Sequence, residues 1–413
     1  MERLLEFVQT NIQADTSRLI LDREKWPGID MDIAVNCIES RLKLKGKVRE
    51  WYENPRLIFP LKLSAEQCSS SLTGLYKAQL AERIAAQKGW RLADLTGGLG
   101  VDSWFFSKKA SQVLYCEMQK ALCDAAKHNF AVLEAGNIEI CNCMVSSETF
   151  SVISEFNPDI IYLDPARRGE GGRKVFLLED CTPDILTLKD DLFRFSRHIL
   201  LKLSPMADIT MVCERLGGCC REVHIVGAGG ECKELLVWMD REWAGDYSIT
   251  AVELTGSEDE GKYEVAGFSF SPSEERSSAP LIAGKDEIGT ATHLFEPGKA
   301  LMKAGAYNLL STKYGLKKLG RSTHYYIVSD QDSLASIWKM GKVFSILRCE
   351  SLDKRSIKQI AAEYPKAEVT ARNLPMDTDT LRKKLGTRSS DHFHIFGLKS
   401  DSAGNLLLVA SRQ

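Results

Sequence analysis

No C-x-x-C pair occurs among the twelve cysteines of this 413-residue chain, and that is the spacing on which many thiol metal sites and dithiol redox motifs are built. Twelve thiols in so long a chain are too sparse for a disulfide scaffold. Cys141 and Cys143 alternate along an expected strand and Cys219 adjoins Cys220. Both are poor metal-ligand spacings, so buried or half-buried thiols in a reducing compartment, and no metal, are expected. No apolar run approaches the roughly 18 residues that span a bilayer, and the start, Met1 to Phe7, lacks a signal-peptide pattern. A cytoplasmic protein with no membrane partner is the expectation. Solenoid-type repeats are missing. So is a large charge imbalance, the formal net charge being −2.

What is present is the composition of a soluble globular protein, 44% hydrophobic and 27% charged. The length exceeds what one core supports, and two to four domains are expected. The small net charge conceals an asymmetry. Residues 336–413 carry 14 Lys and Arg against 8 Asp and Glu, a surplus of six positive charges that leaves −8 for the rest of the chain. A solvated surface gives such a count as readily as a nucleic-acid partner does.

Residues 1 to about 60 read as helices, with Leu4, Leu5, Val8 and Ile12 at helical spacing and Pro27-Gly28 breaking the pattern before a second stretch from Asp30. That stretch ends in Arg41, Lys43, Lys45, Lys47 and Arg49, alternating with Leu42, Leu44 and Val48 and followed by Trp51 and Tyr52. It is either a solvated helix face or a phosphate-tracking surface with aromatics for stacking. From Leu92 to Met239, apolar β-rich runs at 92–95, 113–116, 138–141, 159–163, 199–203, 222–226 and 235–239 alternate with helical segments. This pattern predicts a doubly wound, mostly parallel α/β sheet of seven strands. The last two runs are separated by a link too short for a helical crossover and should pair antiparallel. Beyond Gly245 a hairpin (247–254 with 263–270), a Ser/Glu-rich link at 271–278 and a helix at 297–314 are expected. From Val343 two small helices and four strands follow. The expected domains are a helical one at 1–63, the α/β domain at 64–243, and small α+β modules at 244–335 and 336–413.

The most informative stretch runs from Leu92 to Asp102, a short strand, then Asp94-Leu-Thr-Gly-Gly-Leu-Gly100, then a helix. Gly97, Gly98 and Gly100 permit positive φ and close approach of a ligand, while N–H groups of the next helix face it. A tight structural turn would look the same. The spacing is not G-x-G-x-x-G, which counts against a nicotinamide-dependent oxidoreductase, and the flanking Asp94 and Asp102 disfavour a phosphate anion. They suit a ligand with a positive centre and a ribose.

Glu117 ends the second strand, where an acid accepts both hydroxyls of a ribose or else is simply solvated. Asp164-Pro-Ala-Arg-Arg168 ends the fourth strand and should line the same crevice, since ligands of open α/β sheets bind outside the strand carboxyl ends. Pro165 stiffens that loop, and Arg167 and Arg168 sit where a polyanion would enter. Lys202 at the fifth strand's end either snorkels or contacts a substrate phosphate; Lys77 and Lys233 pose the same choice, and Glu231 fits a simple hairpin turn.

The D-x-T-G-G-x-G-x-D turn, the acid after the second strand, the D-P-A-R-R loop and the closing antiparallel hairpin together resemble the class I S-adenosyl-L-methionine-dependent methyltransferases. The subgroup is the RNA-methyltransferase-like one with a C-terminal THUMP-like domain. Glu66 to Ser70, Tyr76-Lys77-Ala78, Leu201 to Pro205, Gly230 to Glu234 and Val369 to Pro375 fit it as well, so the resemblance spans most of the chain. It implies a Rossmann-like methyltransferase sheet followed by ferredoxin-like and THUMP-like modules. It also implies that Asp94, Thr96, Gly97, Gly98, Gly100 and Asp102 surround the methionine part of the cofactor. Glu117 would hold its ribose, and Asp164, Pro165 and Arg167 would form the acceptor side, with Asp164 also touching the cofactor. Many relatives place an acid against the adenine after the third strand; Asn142-Cys143-Met144 stand here, and Asn142 or a backbone carbonyl is the substitute.

Methyl transfer from a sulfonium is an in-line displacement that needs proximity and orientation rather than a strong acid or base, which accounts for the lack of a His-based triad. Base-nitrogen methylases often end the loop in D-P-P-Y or D-P-P-F, with the aromatic stacking on a flipped base. Here Arg167 or Phe176 would have to stack, or no stack forms. Carbon-5 pyrimidine chemistry needs a cysteine nucleophile, for which Cys181 is the candidate. The expected function is methylation of a base in structured RNA, rRNA or tRNA. The alternative is a noncatalytic RNA-binding protein that keeps the scaffold.

Overall fold

The computed structural model describes residues 2–146, 149–167, 178–257, 262–328 and 330–412, with the backbone alone at 167, 257, 262 and 331. The chain forms two compact units. One comprises Met1–Val223, Glu234–Tyr247 and Gly256–Glu264; the other comprises His224–Lys233, Ser248–Thr255 and Val265–Gln413.

The first unit is built on strands β1 (Arg91–Asp94), β2 (Gln112–Glu117), β3 (Ile138–Asn142), β4 (Ile160–Leu163), β5 (Ala166–Arg167), β6 (Cys181–Thr182) and β7 (His198–Leu203). Two long strands, β8 (Cys220–Ala228) and β9 (Glu231–Asp240), follow. Every pairing among β1, β2, β3, β4 and β7 is parallel, and β9 runs antiparallel to β7. Strands covered on both faces have no reason to alternate, and β4 is indeed Ile-Ile-Tyr-Leu with all four buried. The sheet is longer than the sequence predicts. Strands β10 (Ser248–Ser257) and β11 (Lys262–Phe270) extend it to nine, in the order β11-β10-β8-β9-β7-β4-β1-β2-β3.

The amino-terminal helices belong to the first unit. Asp15 and Asp30 cap two of them through carboxylates that accept from Ser17 N–H and Ile33 N–H. Asn129 in the helix Lys120–Val132 clamps Ile58 by accepting from its N–H and donating to its carbonyl, both at 2.8 Å. The basic run divides: Lys43, Lys45 and Arg49 lie on the solvated surface, one of the two readings expected from sequence, whereas Arg41 and Lys47 turn to backbone carbonyls. Arg41 is 5% exposed, and its guanidinium donates to the carbonyls of Trp51, Tyr52, Asn54 and Leu57. Trp51 is fully buried, and Lys47 donates to the carbonyls of Ala65, Glu66 and Cys68. A rigid five-donor fork satisfies several converging carbonyls at once, so arginine folds this turn rather than binding an anion.

The second unit holds β12 (His293–Pro297), β13 (Lys317–Gly320), β14 (Thr323–Val328), β15 (Gly341–Ser351), β16 (Glu368–Arg372), β17 (Phe393–Ser400) and β18 (Gly404–Arg412) in one sheet, ordered β13-β14-β12-β15-β18-β17-β16. Alternate residues of β17 and β18 feed cores on opposite faces. Phe396, Leu398, Leu406 and Leu408 lie in one, and Ile395, Leu407 and Val409 in the other with Ile360, Leu381 and Leu385 of two covering helices. The expected helix at 297–314 is two helices, Lys299–Ala304 and Tyr307–Tyr314, because Gly305 turns left-handed at φ +79 and ends the first. The 271–278 link contains a helix, Pro272–Ser277, started by a Ser271/Glu274 capping box and Pro at its first turn. Strands β12, β13 and β14 are too short and mixed to show in the pattern.

Candidate active site

A cleft of about 490 Å³ opens at the carboxyl ends of β1, β2 and β4, lined by residues from the glycine turn, from Glu117 to Gln119, from Cys143 to Val145 and from the Asp164 loop. Parallel strands deliver their ends to one edge, so residues far apart in sequence converge there.

The turn after β1 is held open by its glycines. A Cβ on Gly97 would lie 2.2 Å from the Tyr115 ring and one on Gly100 2.7 Å from Phe130, whereas Gly98, at φ +54, has only the Thr96 carbonyl within 4 Å. Tyr115 donates its hydroxyl to the Gly98 carbonyl at 2.6 Å, and Gly97 N–H donates to the Cys116 carbonyl at 2.8 Å. The turn therefore takes its shape from β2 behind it.

Glu117, buried at the end of β2, accepts from Gly98 N–H at 3.0 Å through Oε2 and from Gln119 N–H at 2.8 Å through Oε1. A carboxylate offers about four acceptor positions, so each oxygen keeps capacity for a hydroxyl of a ribose. Asp94 is 1% exposed and accepts from Thr96 N–H and from the Ser103 hydroxyl. Burial pushes its carboxyl up to about 7 against those hydrogen bonds. Thr96 Oγ1 in turn accepts from Asp164 N–H at 2.6 Å, tying the glycine turn to the loop after β4.

Beside these lies a buried ionic network. Lys77, with no exposed side-chain surface, donates to both oxygens of Glu234 at 2.9 Å and to Ser69 at 2.7 Å, and pairs with Asp102 Oδ1 at 3.2 Å. Asp102 Oδ2 accepts from Ser69 at 3.0 Å and from the Tyr162 hydroxyl at 2.8 Å. Burial works to raise the Asp102 carboxyl, but Lys77 and Lys202 hold it below the usual carboxylate range. Burial raises that of Glu234, with Lys77 opposing. Lys202 Nζ donates to Asp164 Oδ2 at 2.5 Å. Although burial opposes its charge, Asp164, Asp102 and Glu234 keep Lys202 protonated beyond the ordinary range. Lys202 and Lys77 are thus partners of acids within the site, neither snorkelling nor free for a phosphate. Lys233 and Glu231 pair with each other on the exposed hairpin.

Of the residues singled out in the sequence, Asp94, Thr96, Gly97, Gly98, Gly100, Asp102, Glu117, Asp164 and Ala166 line the cleft. Asn142 is not among them, since both hydrogen bonds of its Nδ2 go to the carbonyls of Glu117 and Met118; Cys143, Met144 and Val145 form that wall. Pro165 lies between two lining residues. Arg167 is placed by its backbone, in β5, opposite Cys181 of β6; Arg168 and Phe176 lie outside the described residues. Cys181 is fully buried and does not line the cleft, a poor position for a nucleophile. Sequence reasoning missed Glu234, Ser69 and Tyr162 as members of the network. Glu234 is 157 positions from Lys77, and only the closing hairpin brings them together.

The donor set fits a sulfonium nucleoside. Glycines give backbone access, a strand-end acid has room for two hydroxyls, and Asp94, Asp102, Glu117, Asp164 and Asp184 are acids of the lining, with no basic side chain among the described lining residues. Family models match a ferredoxin-like domain at residues 293–333 and a THUMP-like domain at 341–412. A crystal structure of a putative methyltransferase from Porphyromonas gingivalis W83 superposes with a TM-score of 0.83 at 28% identity, covering 99% of this chain and 97% of that one. A putative RNA methyltransferase from Pyrococcus horikoshii matches at 19% identity and a TM-score of 0.26, over 40% of this chain and 72% of that one. A putative methyltransferase from Escherichia coli matches at 19% and 0.29, over 41% and 85%. Neither of these two overlays is close enough to bear on function. No curated protein matches in sequence. In its fold, its two carboxyl-terminal modules and its likeness over nearly the whole chain to the P. gingivalis putative methyltransferase, the chain is similar to class I S-adenosyl-L-methionine-dependent methyltransferases that carry a THUMP-like domain.

Proposed function

We propose that the protein methylates a base in structured RNA, rRNA or tRNA, at the cleft edge formed by Asp164 and Ala166. The cofactor supplies an electrophilic methyl group on a positively charged sulfur. Glu117 accepts the ribose hydroxyls with the lone pairs that Gly98 and Gln119 leave free. The backbone of Thr96, Gly97, Gly98 and Gly100, with Asp94 behind it, holds the methionine part. Asp102 has its oxygens committed to Lys77, Ser69 and Tyr162, so it acts as a positioning residue. Asp164 is aimed by Thr96 and Lys202, and Oδ1 is the oxygen left to accept an N–H from the acceptor and keep its lone pair in line. Proximity and orientation of this kind supply most of what a displacement needs.

The Lys202–Asp164–Thr96 link carries this reading, because it ties the acceptor loop to the cofactor turn at hydrogen-bond distance. RNA as the acceptor is supported by the positive surplus of residues 336–413 and by the THUMP-like match there. The test is tritium transfer from labelled cofactor into total RNA of a strain lacking the protein, followed by nucleoside analysis. Label in one modified nucleoside is expected, lost in Asp164→Ala while S-adenosylhomocysteine affinity stays within about threefold, well under 1 kcal/mol. Cofactor binding with no label in any RNA fraction would overturn the RNA assignment and favour a protein or small-molecule acceptor, or the noncatalytic scaffold.

A further inference from the structure

Three thiols cluster at the ends of β2 and β3, and one of them, Cys143, is also part of the cleft wall. Cys116 and Cys141 are register partners on adjacent parallel strands, and partners across a sheet project to the same face. Cys143 follows Cys141 by two, and its N–H donates to the Glu117 carbonyl at 3.1 Å. The chain therefore keeps its pairing past the end of β3, and the period of two returns Cys143 to that face. The three sulfurs lie within 4.8 Å of one another, Cys116 buried and the other two half-buried. Between them Asn142 fixes the backbone through its two bonds to the carbonyls of Glu117 and Met118.

We propose that Cys116, Cys141 and Cys143 form a three-thiolate site for a soft cation, Zn²⁺ or Cu⁺, that clips the outer strand β3 to β2. Thiolate sulfur selects these ions over Mg²⁺ and Ca²⁺, which take oxygen ligands. With Zn–S bonds of about 2.3 Å, tetrahedral sulfurs stand about 3.8 Å apart, so the thiols need to close by about 1 Å at most. Zn²⁺ would take a water as fourth ligand, whereas Cu⁺ is satisfied by three thiolates. Each coordinating thiol gives its proton to solvent, and no oxidation occurs. The half-buried Cys141 and Cys143 leave an entry path, and β3 is the outermost strand of its sheet on that side, the one with the most to gain from a clip. The spacing carries no metal motif because one ligand comes from the neighbouring strand.

The test uses the full-length, reduced, metal-free protein. Co²⁺ should give an intense thiolate-to-cobalt charge-transfer band that Zn²⁺ abolishes, and chelator competition should yield the affinities for Zn²⁺ and Cu⁺. Cys143→Ser should weaken the preferred ion by at least about 100-fold, since losing a ligand costs more than the 10–100-fold typical of outer-shell changes. Cys349→Ser, in β15, should stay within about twofold, and Zn²⁺ or Cu⁺ should raise the melting temperature of wild type but not of Cys143→Ser. If Cys143→Ser fails to fold by circular dichroism, Cys141→Ser takes its place. No cobalt–thiolate band in wild type, or unchanged affinity in the folded serine variant, would overturn the proposal. None of these readouts involves the methyl donor.

Discussion

Two buried cations of the first unit, Arg41 and Lys77, are satisfied in opposite ways. Arg41 meets neutral carbonyls of one short stretch, Trp51 to Leu57, and stacks 5.1 Å over Phe59. Lys77 meets the carboxylates of Glu234 and Asp102, drawn from the far hairpin and from the helix after the glycine turn. A cation on carbonyls fixes a local turn. A cation between two acids neutralises them and transmits its position to both, and here one of the two hydrogen-bonds Tyr162 and lines the cleft. The contrast separates scaffold from site among residues that sequence alone shows merely as Lys and Arg.

Replacing Lys77 with Met should have the largest effect. It strands Glu234 and Asp102 as buried carboxylates, a loss of about 3–5 kcal/mol in urea unfolding, and the folded fraction should bind S-adenosylhomocysteine at least about tenfold more weakly. Arg41→Met removes donors from four carbonyls and should cost about 2–4 kcal/mol. Its folded fraction should keep wild-type cofactor affinity, measured by calorimetry below the unfolding midpoint. Equal loss of affinity in both variants would erase the distinction between the two cations.

Asp94 sharpens the comparison from the side of an acid with no cation on it. Its carboxyl is pushed up to about 7 by burial, so folding favours the protonated form. The stability it contributes is complete below the unfolded carboxylate range and is lost as pH rises through about 7. Between about pH 5.5 and 7, Asp94 should cost wild type about 1–2 kcal/mol that Asp94→Asn does not lose. Parallel urea series of the two proteins read this, and identical slopes would contradict it.

How far the sequence reaches follows from the same contrast. The glycine turn, Glu117 and Asp164 were legible because parallel strands are short apolar runs whose ends must share one edge. The pairing of Lys77 with Glu234 was not, since a lysine in a helix between two apolar neighbours looks identical whether it faces water or an acid. The left-handed Gly305 that splits the 299–314 helix and the register that aligns Cys116 with Cys141 are equally silent, because both depend on backbone geometry that residue type leaves open.

The smallest expected effect belongs to Glu117→Gln, which keeps shape and removes half the acceptor capacity. S-adenosylhomocysteine should bind about tenfold more weakly, the worth of one hydrogen bond to a charged group, with the melting temperature slightly lowered because the amide NH2 must face one of the two N–H donors that Glu117 accepts.

The most direct measurement is titration calorimetry of S-adenosylhomocysteine into the wild-type chain and into Gly98→Arg, a substitution at a glycine that lines the cleft with open space before it. Saturable one-to-one binding by wild type and none by a folded Gly98→Arg is the predicted result. No heat with wild type, or equal binding by the two, would contradict a sulfonium-cofactor cleft.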